Sequence, residues 1–170
     1  MSGIAKFEKV SLEQFKTAME DTFESCENAE KIYDEIKLPR RATVGSAGYD
    51  FYSTVDFDLK PGETITIPTG IRAKINEGWM LCLFPRSGLG FKFRLQLNNT
   101  VGIIDSDYSE SDNEGHIFVK ITNDTNTGKT ISLKRGDGFV QGIFIPYGLT
   151  EDDNTTEKRN GGMGSTDKRE

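Results

Sequence analysis

The sequence predicts an all-β domain, either a sandwich, a jelly roll or a barrel, over residues 37–149. Helical periodicity is lost across this stretch, and short runs rich in Val, Ile, Thr and Phe alternate with turn signals every 8–12 residues, roughly. The chain has 18 glycines among 170 residues, a content that favours turns over a helical bundle. Its length suits one domain with extensions at both ends.

Five runs of apolar and β-branched residues predict strands in this central domain. They cover residues 64–67, 79–84, 116–121, 130–133 and 139–145. Turn-forming residues separate them at 123–124, 127–128 and 135–138, where Asn, Asp and Gly tolerate the backbone angles that a turn requires.

Residues 1–36 form an extension of different character, in which apolar or small residues recur at close to a 3.5-residue spacing and predict a helix over 12–33. Ser11 is a plausible N-cap, Gln14 completes a capping box, and Val10 and Phe15 are placed for a hydrophobic staple. We expect the apolar stripe to dock on the body or on another subunit, since it is too short for an independent coiled coil.

Residues 150–170 contain one strongly apolar residue, Met163, which predicts a flexible arm that cannot form a core of its own. The segment from Arg159 to Thr166 combines a cation, flexible glycines and two hydroxyls. On composition a disordered tail is the default interpretation, and the alternative is an arm whose groups wrap an anion.

Composition excludes several classes of protein. The net charge of −6 and pI near 5.0 argue against nucleic acid or an anionic membrane as the main partner. No apolar run approaches a membrane span, and no signal peptide is visible. Two cysteines, Cys26 and Cys82, and one histidine, His116, exclude an ordinary Cys/His zinc site. They also exclude a Ser-His-Asp hydrolase unless His116 is its base. The cysteines are predicted to be packing residues in a reducing, cytoplasmic setting.

Four short segments carry side chains suited to chemistry. Segment 85–90 ends a predicted strand and offers Arg86, Ser87 and glycines to an anion, although a Walker A pattern is absent. Segment 102–108 places an apolar pair before Asp105. Limited solvation there would suit a base that takes a proton from water. The third segment has small residues directly before Asp50. The fourth is the turn over residues 135–138, which precedes Gln141. Taken singly, each is equally well explained as an ordinary turn.

The order of these motifs, with the glycine-rich arm as a fifth, resembles the trimeric deoxyuridine triphosphatase (dUTPase) family over about residues 36–166. The resemblance implies a distorted jelly-roll-like barrel and a homotrimer with sites between subunits. It also implies Mg²⁺-dependent hydrolysis of dUTP to dUMP and diphosphate, which limits uracil in DNA and supplies dUMP for dTMP synthesis.

The resemblance also implies a role for each matched residue. Asp105 would be the general base, and Tyr108 would stack on the deoxyribose and exclude a 2′-hydroxyl. The uracil would meet Asn99, Gly102, Ile104 and, from the arm, Met163. Asp50 would reach the metal through water. Gln141 would hold phosphate or the attacking water. The phosphates would be held by Arg86, Ser87, Gly88, Arg159, Gly164, Ser165 and Thr166.

The sequence departs from the family pattern at three places. Met163 stands where an aromatic residue often caps the uracil, which leaves Phe118 and His116 as other candidates for that contact. Gly138 replaces a frequent Arg, so one contact is expected to be lost. Residues 109–115 are longer than the usual connection and predict a surface loop.

Two alternatives remain at this level. A dCTP deaminase shares the barrel but needs a glutamate close to the base, for which Glu110 and Glu114 are the candidates. A non-enzymatic protein could instead bind an unknown regulatory protein through its helix or acidic loop.

Overall fold

The computed structural model describes residues 3–24, 27–159 and 161. Three α-helices are present among them: α1 (Leu12–Phe23), α2 (Ala29–Glu35) and α3 (Ser87–Phe93), together with a 3-10 helix at Tyr108–Glu110. The strands are β1 (Ala5–Lys9), β2 (Arg40–Arg41), β3 (Tyr49–Tyr52), β4 (Phe57–Leu59), β5 (Thr64–Pro68), β6 (Ile71–Ile75), β7 (Trp79–Pro85), β8 (Leu95–Leu97), β9 (Gly102–Ile104), β10 (Phe118–Asn123), β11 (Ile131–Leu133) and β12 (Gly138–Pro146).

The strands form small antiparallel sheets, which confirms the predicted β architecture of jelly-roll type. A five-stranded sheet has the order β2-β3-β12-β7-β9, and a three-stranded sheet has the order β5-β10-β8. Two pairs, β1-β6 and β11-β4, complete the described sheets. Each of the five runs singled out in the sequence contributes a strand, because its β-branched and aromatic residues pack well on a pleated surface.

The apolar faces of these strands meet in one main core. Its largest fully buried side chains include Phe51, Ile67, Leu81 and Phe139. Cys82 lies buried on β7, where burial raises the pKa of its thiol. The thiol is thereby kept protonated and unreactive, in agreement with its predicted packing role. Cys26 lies outside the described residues.

The N-terminal extension contains two helices, so the prediction of one helix over 12–33 is wrong. Helix α1 ends because Glu24 takes a left-handed conformation with φ of +61°, and α2 starts at Ala29. The Ser11 cap is confirmed, since its Oγ accepts a hydrogen bond from the Gln14 N–H at 3.1 Å. The reciprocal half of the capping box is replaced, because the Ser11 N–H donates to Glu114 at 2.8 Å.

The expected docking of the extension on the body is confirmed. Val10, Phe15, Met19 and Ile32 form a second small core, and the Val10 N–H donates to the Gly70 carbonyl at 3.0 Å. No helix within the described ranges is both long and apolar enough to cross a membrane.

His116 joins the extension to the body and is completely buried. Its Nε2 accepts a hydrogen bond from the Gly70 N–H at 2.8 Å, and its ring lies 4.4 Å from that of Phe118, centre to centre. Burial lowers the pKa of His116 to about 4. Because the ring is inaccessible and its Nε2 is occupied by Gly70, His116 is not placed to cap a uracil, and the exception that would have allowed a Ser-His-Asp hydrolase is removed.

We predict that His116 makes the fold sensitive to acid. Because its pKa is about 4 in the folded chain and about 6.5 when unfolded, its contribution to stability is complete above pH 6.5. That contribution declines as the pH falls from 6.5 to 4, with a total loss of about 3 kcal/mol. Urea unfolding at a series of pH values measures it.

The matched control is His116→Gln, whose amide oxygen can accept the Gly70 N–H but does not titrate. In this variant the free energy of unfolding should no longer show the decrease that His116 causes between pH 6.5 and 4. An identical pH profile in both proteins would contradict the assignment.

Candidate active site

The end of β7 leads into the turn over residues 85–88 that the sequence predicts to bind an anion, called the anion turn. Pro85 ends the strand, and α3 begins two residues later, so the first N–H groups of α3 have no acceptor within the helix. Arg86 is held from two sides. Its Nε lies 3.2 Å from the Asp50 carboxylate, and its Nη1 donates to the Gly138 carbonyl at 3.2 Å. Ser87 and Gly88 are exposed beside it.

Gln141 lies in the same cavity, of about 360 Å³, because strand register places it there. On β12 it is opposite Asp50 of β3 and Phe84 of β7. Its side-chain amide nitrogen, Nε2, donates to the Pro85 carbonyl at 3.2 Å. One chain therefore brings four of the predicted site residues to the same cavity. They supply a carboxylate, a cation, a hydroxyl and an amide: Asp50, Arg86, Ser87 and Gln141.

Two glycines make room for these side chains. A Cβ on Gly48 would overlap the Gln141 amide, and a Cβ on Gly138 would lie 2.7 Å from Arg86 Nη1. Arg86 occupies the space that a side chain on Gly138 would need, and the Gly138 carbonyl is an acceptor for Arg86. That the contact of the frequent Arg is lost at Gly138 stays a prediction.

A second cavity, of about 410 Å³, lies against the hairpin between β8 and β9. Asn99, Gly102, Ile104 and Phe118 are among its lining residues. Strand β9 lies at the edge of its sheet, so one side of its backbone has N–H and C=O groups free to pair with a planar ligand. The position of Phe118 keeps it a candidate for contact with that ligand.

Asp105 follows β9 directly and is bound by the arm. The Arg159 guanidinium contacts the Asp105 carboxylate through Nη2 and donates from Nε to Asp107 at 2.9 Å. The Asp105 side chain is 53% exposed. The expectation of limited solvation is therefore wrong for the described residues of the single chain, in which the buried strand ends before Asp105 and Arg159 is its ion-pair partner.

Tyr108 lies beside this ion pair and is buried. Its hydroxyl donates to the His116 carbonyl at 3.0 Å, and Arg159 lies 5.7 Å from the ring centre in a cation–π arrangement. The sequence left stacking on a ligand and simple packing as alternatives for Tyr108. In the described chain the ring packs beneath Arg159, so a sugar would have to displace that side chain.

The anion turn and Asp105 lie at opposite ends of β7. Ile104 pairs with Leu81, which puts Asp105 opposite Met80, six residues before Arg86. At ~3.3 Å per residue, this separates the two positions by about 20 Å. These two groups of residues, called the half-sites, are therefore far apart within one chain.

The remaining predicted residues, Met163, Gly164, Ser165 and Thr166, lie outside the described residues. Asp107 was missed in the sequence, although its place two residues after Asp105 put it within reach of the same cation. Asn113, which contacts Tyr108 within its own loop, was also missed as a site residue. Glu114 was named only for the deaminase alternative, and its contact with Ser11 is indicated by no local pattern, since the docking of α1 sets it.

Comparisons with known proteins show the family of the chain. The dUTPase family model matches residues 34–167. The chain belongs to the dUTPase family. A deoxyuridine 5′-triphosphate nucleotidohydrolase of Lactococcus lactis is 40% identical over 134 residues, which cover 77% of this chain and 88% of that protein.

Solved structures of dUTPases share the fold of this family member. The dUTPase of Streptococcus mutans is 33% identical, with a TM-score of 0.62 over 85% of this chain and 98% of that one. A dUTPase from phage phi11 of S. aureus, described for its coordination of a structural Mg(II) ion, has a TM-score of 0.62. It is 21% identical over 91% of this chain and 98% of that chain, and it supports the fold alone.

The deaminase alternative loses its candidate glutamates. The Glu114 carboxylate accepts hydrogen bonds from the Ser11 N–H and hydroxyl, and Glu110 is exposed on the 3-10 helix. Neither carboxylate lines the hairpin cavity. Family membership and these positions both favour a hydrolase.

We predict that Gly138→Ala weakens anion binding at the turn. The added methyl group would push Arg86 away from Asp50, and the affinity for diphosphate should fall by roughly tenfold, the effect of about 1.4 kcal/mol. Isothermal titration calorimetry with diphosphate measures the change. Gly45→Ala is the control, because a Cβ at that position meets nothing within 4 Å. Equal affinity in the two variants would refute the placement of Arg86.

Proposed function

We propose that this chain hydrolyses dUTP to dUMP and diphosphate, as a dUTP diphosphatase. The observation that carries the proposal is the pairing of two half-sites in a member of the dUTPase family. One holds an anion turn with Arg86, and the other has a carboxylate, Asp105, beside a hairpin cavity.

The hairpin cavity is the proposed uracil site. The free edge of β9 between Gly102 and Ile104 supplies backbone donors and acceptors in fixed positions, and Asn99 adds a side-chain amide. Such a site rejects cytosine because the exchanged donor and acceptor would leave buried groups unpaired, a discrimination of ~10⁴ or more. Met163 is proposed to cover the base from the arm.

Tyr108 is the proposed contact for the deoxyribose. Arg159 covers its ring in the described chain, so we propose that Arg159 leaves Tyr108 and Asp105 when a nucleotide enters. A triphosphate carries more negative charge than Asp105 and Asp107 together, and it is the stronger partner for the guanidinium. The arm residues Gly164, Ser165 and Thr166 are proposed to follow Arg159 onto the β- and γ-phosphates.

The phosphates are proposed to lie on the anion turn. Arg86 supplies charge, Ser87 and Gly88 supply hydroxyl and backbone donors, and Gln141 supplies an amide. A chain of net charge −6 needs such focused donors to hold a polyanion.

Mg²⁺ is the proposed metal, and the donor set of the cavity fits it. Asp50 offers a carboxylate of which one oxygen pairs with Arg86. Among the described residues there is no group of three or more His, Cys, Asp or Glu side chains that could hold a metal, whereas Mg²⁺ commonly binds through one or two carboxylates, water and phosphate oxygens. The ion would neutralise phosphate charge when bound, and Asp50 would hold it through water.

Asp105 is the proposed general base. Its carboxylate takes a proton from a water molecule whose oxygen forms a bond to the α-phosphorus. The bond from that phosphorus to the bridging oxygen breaks, and diphosphate leaves with the bonding electrons. Release from Arg159 makes the carboxylate available to accept the proton.

The complete site is proposed to form between subunits of a homotrimer. The separation of about 20 Å along β7 requires the anion turn of one chain to meet Asp105 of another. Exposed apolar side chains near both half-sites, Phe91 on α3 at 92% and Ile103 on β9 at 56%, suit burial in such an interface.

We predict that the wild-type protein with Mg²⁺ converts dUTP but neither dCTP nor dTTP, and that Asp105→Asn lowers turnover by ~10²–10⁴ while dUTP still binds. Mass analysis of the products and calorimetric binding measure the two effects. Glu110→Gln, a nearby exposed carboxylate, is the control. Conversion of dCTP to dUTP would contradict the hydrolase assignment, and normal turnover by Asp105→Asn would contradict the base assignment.

We also predict that chains carrying Arg86→Ala and chains carrying Asp105→Asn complement each other. Each variant alone should be inactive, whereas co-expressed chains should assemble sites in which both groups are intact. With random mixing, about a quarter of the wild-type activity should return. A different affinity tag on each variant isolates the trimers that contain both kinds of chain. Absence of activity in these hybrid trimers would contradict a shared site.

A further inference from the structure

We propose that Asn113 and Glu114 are positioning residues that fix Tyr108 against the sugar, and that they couple the selectivity for a deoxyribose to the N-terminal helix α1. The proposal rests on the proposed contact between Tyr108 and the deoxyribose. It assigns a role to the loop over residues 109–116 and to the extension, neither of which the hydrolytic mechanism requires.

Asn113 holds Tyr108 from beneath. Its Nδ2 donates to the Tyr108 hydroxyl at 3.1 Å, and that hydroxyl donates to the His116 carbonyl at 3.0 Å. The Asn113 Oδ1 accepts from the Gly115 N–H at 3.1 Å and lies 2.9 Å from the Ser111 Oγ. Asn113 thereby ties the far end of the Tyr108 ring to two points of its own loop.

Close contacts between the loop and the backbone of Tyr108 restrict the conformation of that residue. Gly115 has φ of +73°, and a Cβ there would lie 2.8 Å from the Tyr108 carbonyl oxygen. The Ser111 hydroxyl donates to the same carbonyl at 2.6 Å. The loop therefore packs directly against the backbone of Tyr108, and its conformation is transmitted to that residue.

Glu114 anchors the loop to α1. Its carboxylate accepts from the Ser11 N–H at 2.8 Å and from the Ser11 hydroxyl. Ser11 is the N-cap of α1, where a negative charge is stabilised by the helix dipole. Burial by itself would raise the pKa of Glu114, but the hydrogen bonds from Ser11 outweigh it and lower that pKa.

The Glu114 backbone shows that this contact shapes the loop. Glu114 has φ of +59°, a left-handed conformation that costs a non-glycine residue of order 1 kcal/mol. The two hydrogen bonds to Ser11 hold it there. Release of Glu114 would let the residue return to an ordinary conformation, and the turn that presents Asn113 to Tyr108 would change with it.

Selectivity against a ribose depends on the rigidity of this arrangement. One added hydroxyl group is rejected strongly only where the surface opposite it cannot move away. A ring that is held at its hydroxyl by Asn113 and His116 cannot retreat from a 2′-hydroxyl. A ring that has lost these contacts can, so UTP should be accepted more readily while the chemistry at Asp105 is unaffected.

The test compares kcat/KM for dUTP and for UTP in full-length variants. We expect Asn113→Ala and Glu114→Ala to lower the ratio of the two values by about tenfold, mainly through faster use of UTP. Glu114→Gln, whose amide oxygen can still accept from Ser11, should restore most of the ratio. Ser11→Ala tests the same link from the helix and should lower the ratio less, since its N–H remains.

Glu63→Ala is the matched control. That carboxylate also accepts a backbone N–H in a turn, from Lys60 at 2.7 Å, but it does not contact the loop at residues 109–116. A merely structural role would reduce activity on both nucleotides equally and would leave the ratio unchanged, whatever the shift in unfolding temperature.

The outcomes separate this proposal from the function on which it rests. An unchanged ratio in Asn113→Ala and in the Ser11 and Glu114 variants, with dUTP still hydrolysed, overturns the positioning role alone. A wild-type protein that does not hydrolyse dUTP overturns both. A lowered ratio that Glu114→Gln restores and Glu63→Ala does not reproduce supports the proposal.

Discussion

The antiparallel register of β7 is the constraint on which the site depends. This strand pairs with β12 on one side and with β9 on the other. Because Ile104 is opposite Leu81, the chain leaves β9 toward the start of β7, while Arg86 follows its end. Arg86 and Asp105 therefore lie at two ends of one strand, which is why the proposed site needs groups from more than one chain.

Each half-site pairs its charged groups with one another in the single chain. The anion turn keeps its cation close to Asp50, and Asp105 keeps Arg159 close to itself and Asp107. Each half-site is thus an ion pair between groups that would both face a magnesium nucleotide. A bound triphosphate and its metal would exchange these internal pairs for external ones, which allows an acidic protein to hold a polyanion without an overall positive charge.

The N-terminal extension contacts the catalytic domain at two points, one through a neutral side chain and one through a charged side chain. His116 is a neutral buried ring that accepts from Gly70, and Glu114 is a charged carboxylate at the start of α1. Both belong to the segment that follows Tyr108. The longer connection after the third motif is therefore packed between the extension and the candidate active site, and is not simply the surface loop that its length predicts.

The sequence by itself determined the β architecture, the strand runs, the Ser11 cap and the family of the chain, because these depend on local periodicity and on the order of short motifs. It also indicated Asp50, Arg86 and Gln141, which strand register then joined in one cavity. Only the tertiary structure decided that the predicted helix is broken at Glu24, that His116 is buried, and that Gly138 makes room for Arg86. Those features arise from contacts between residues far apart in the chain, for which no local pattern exists.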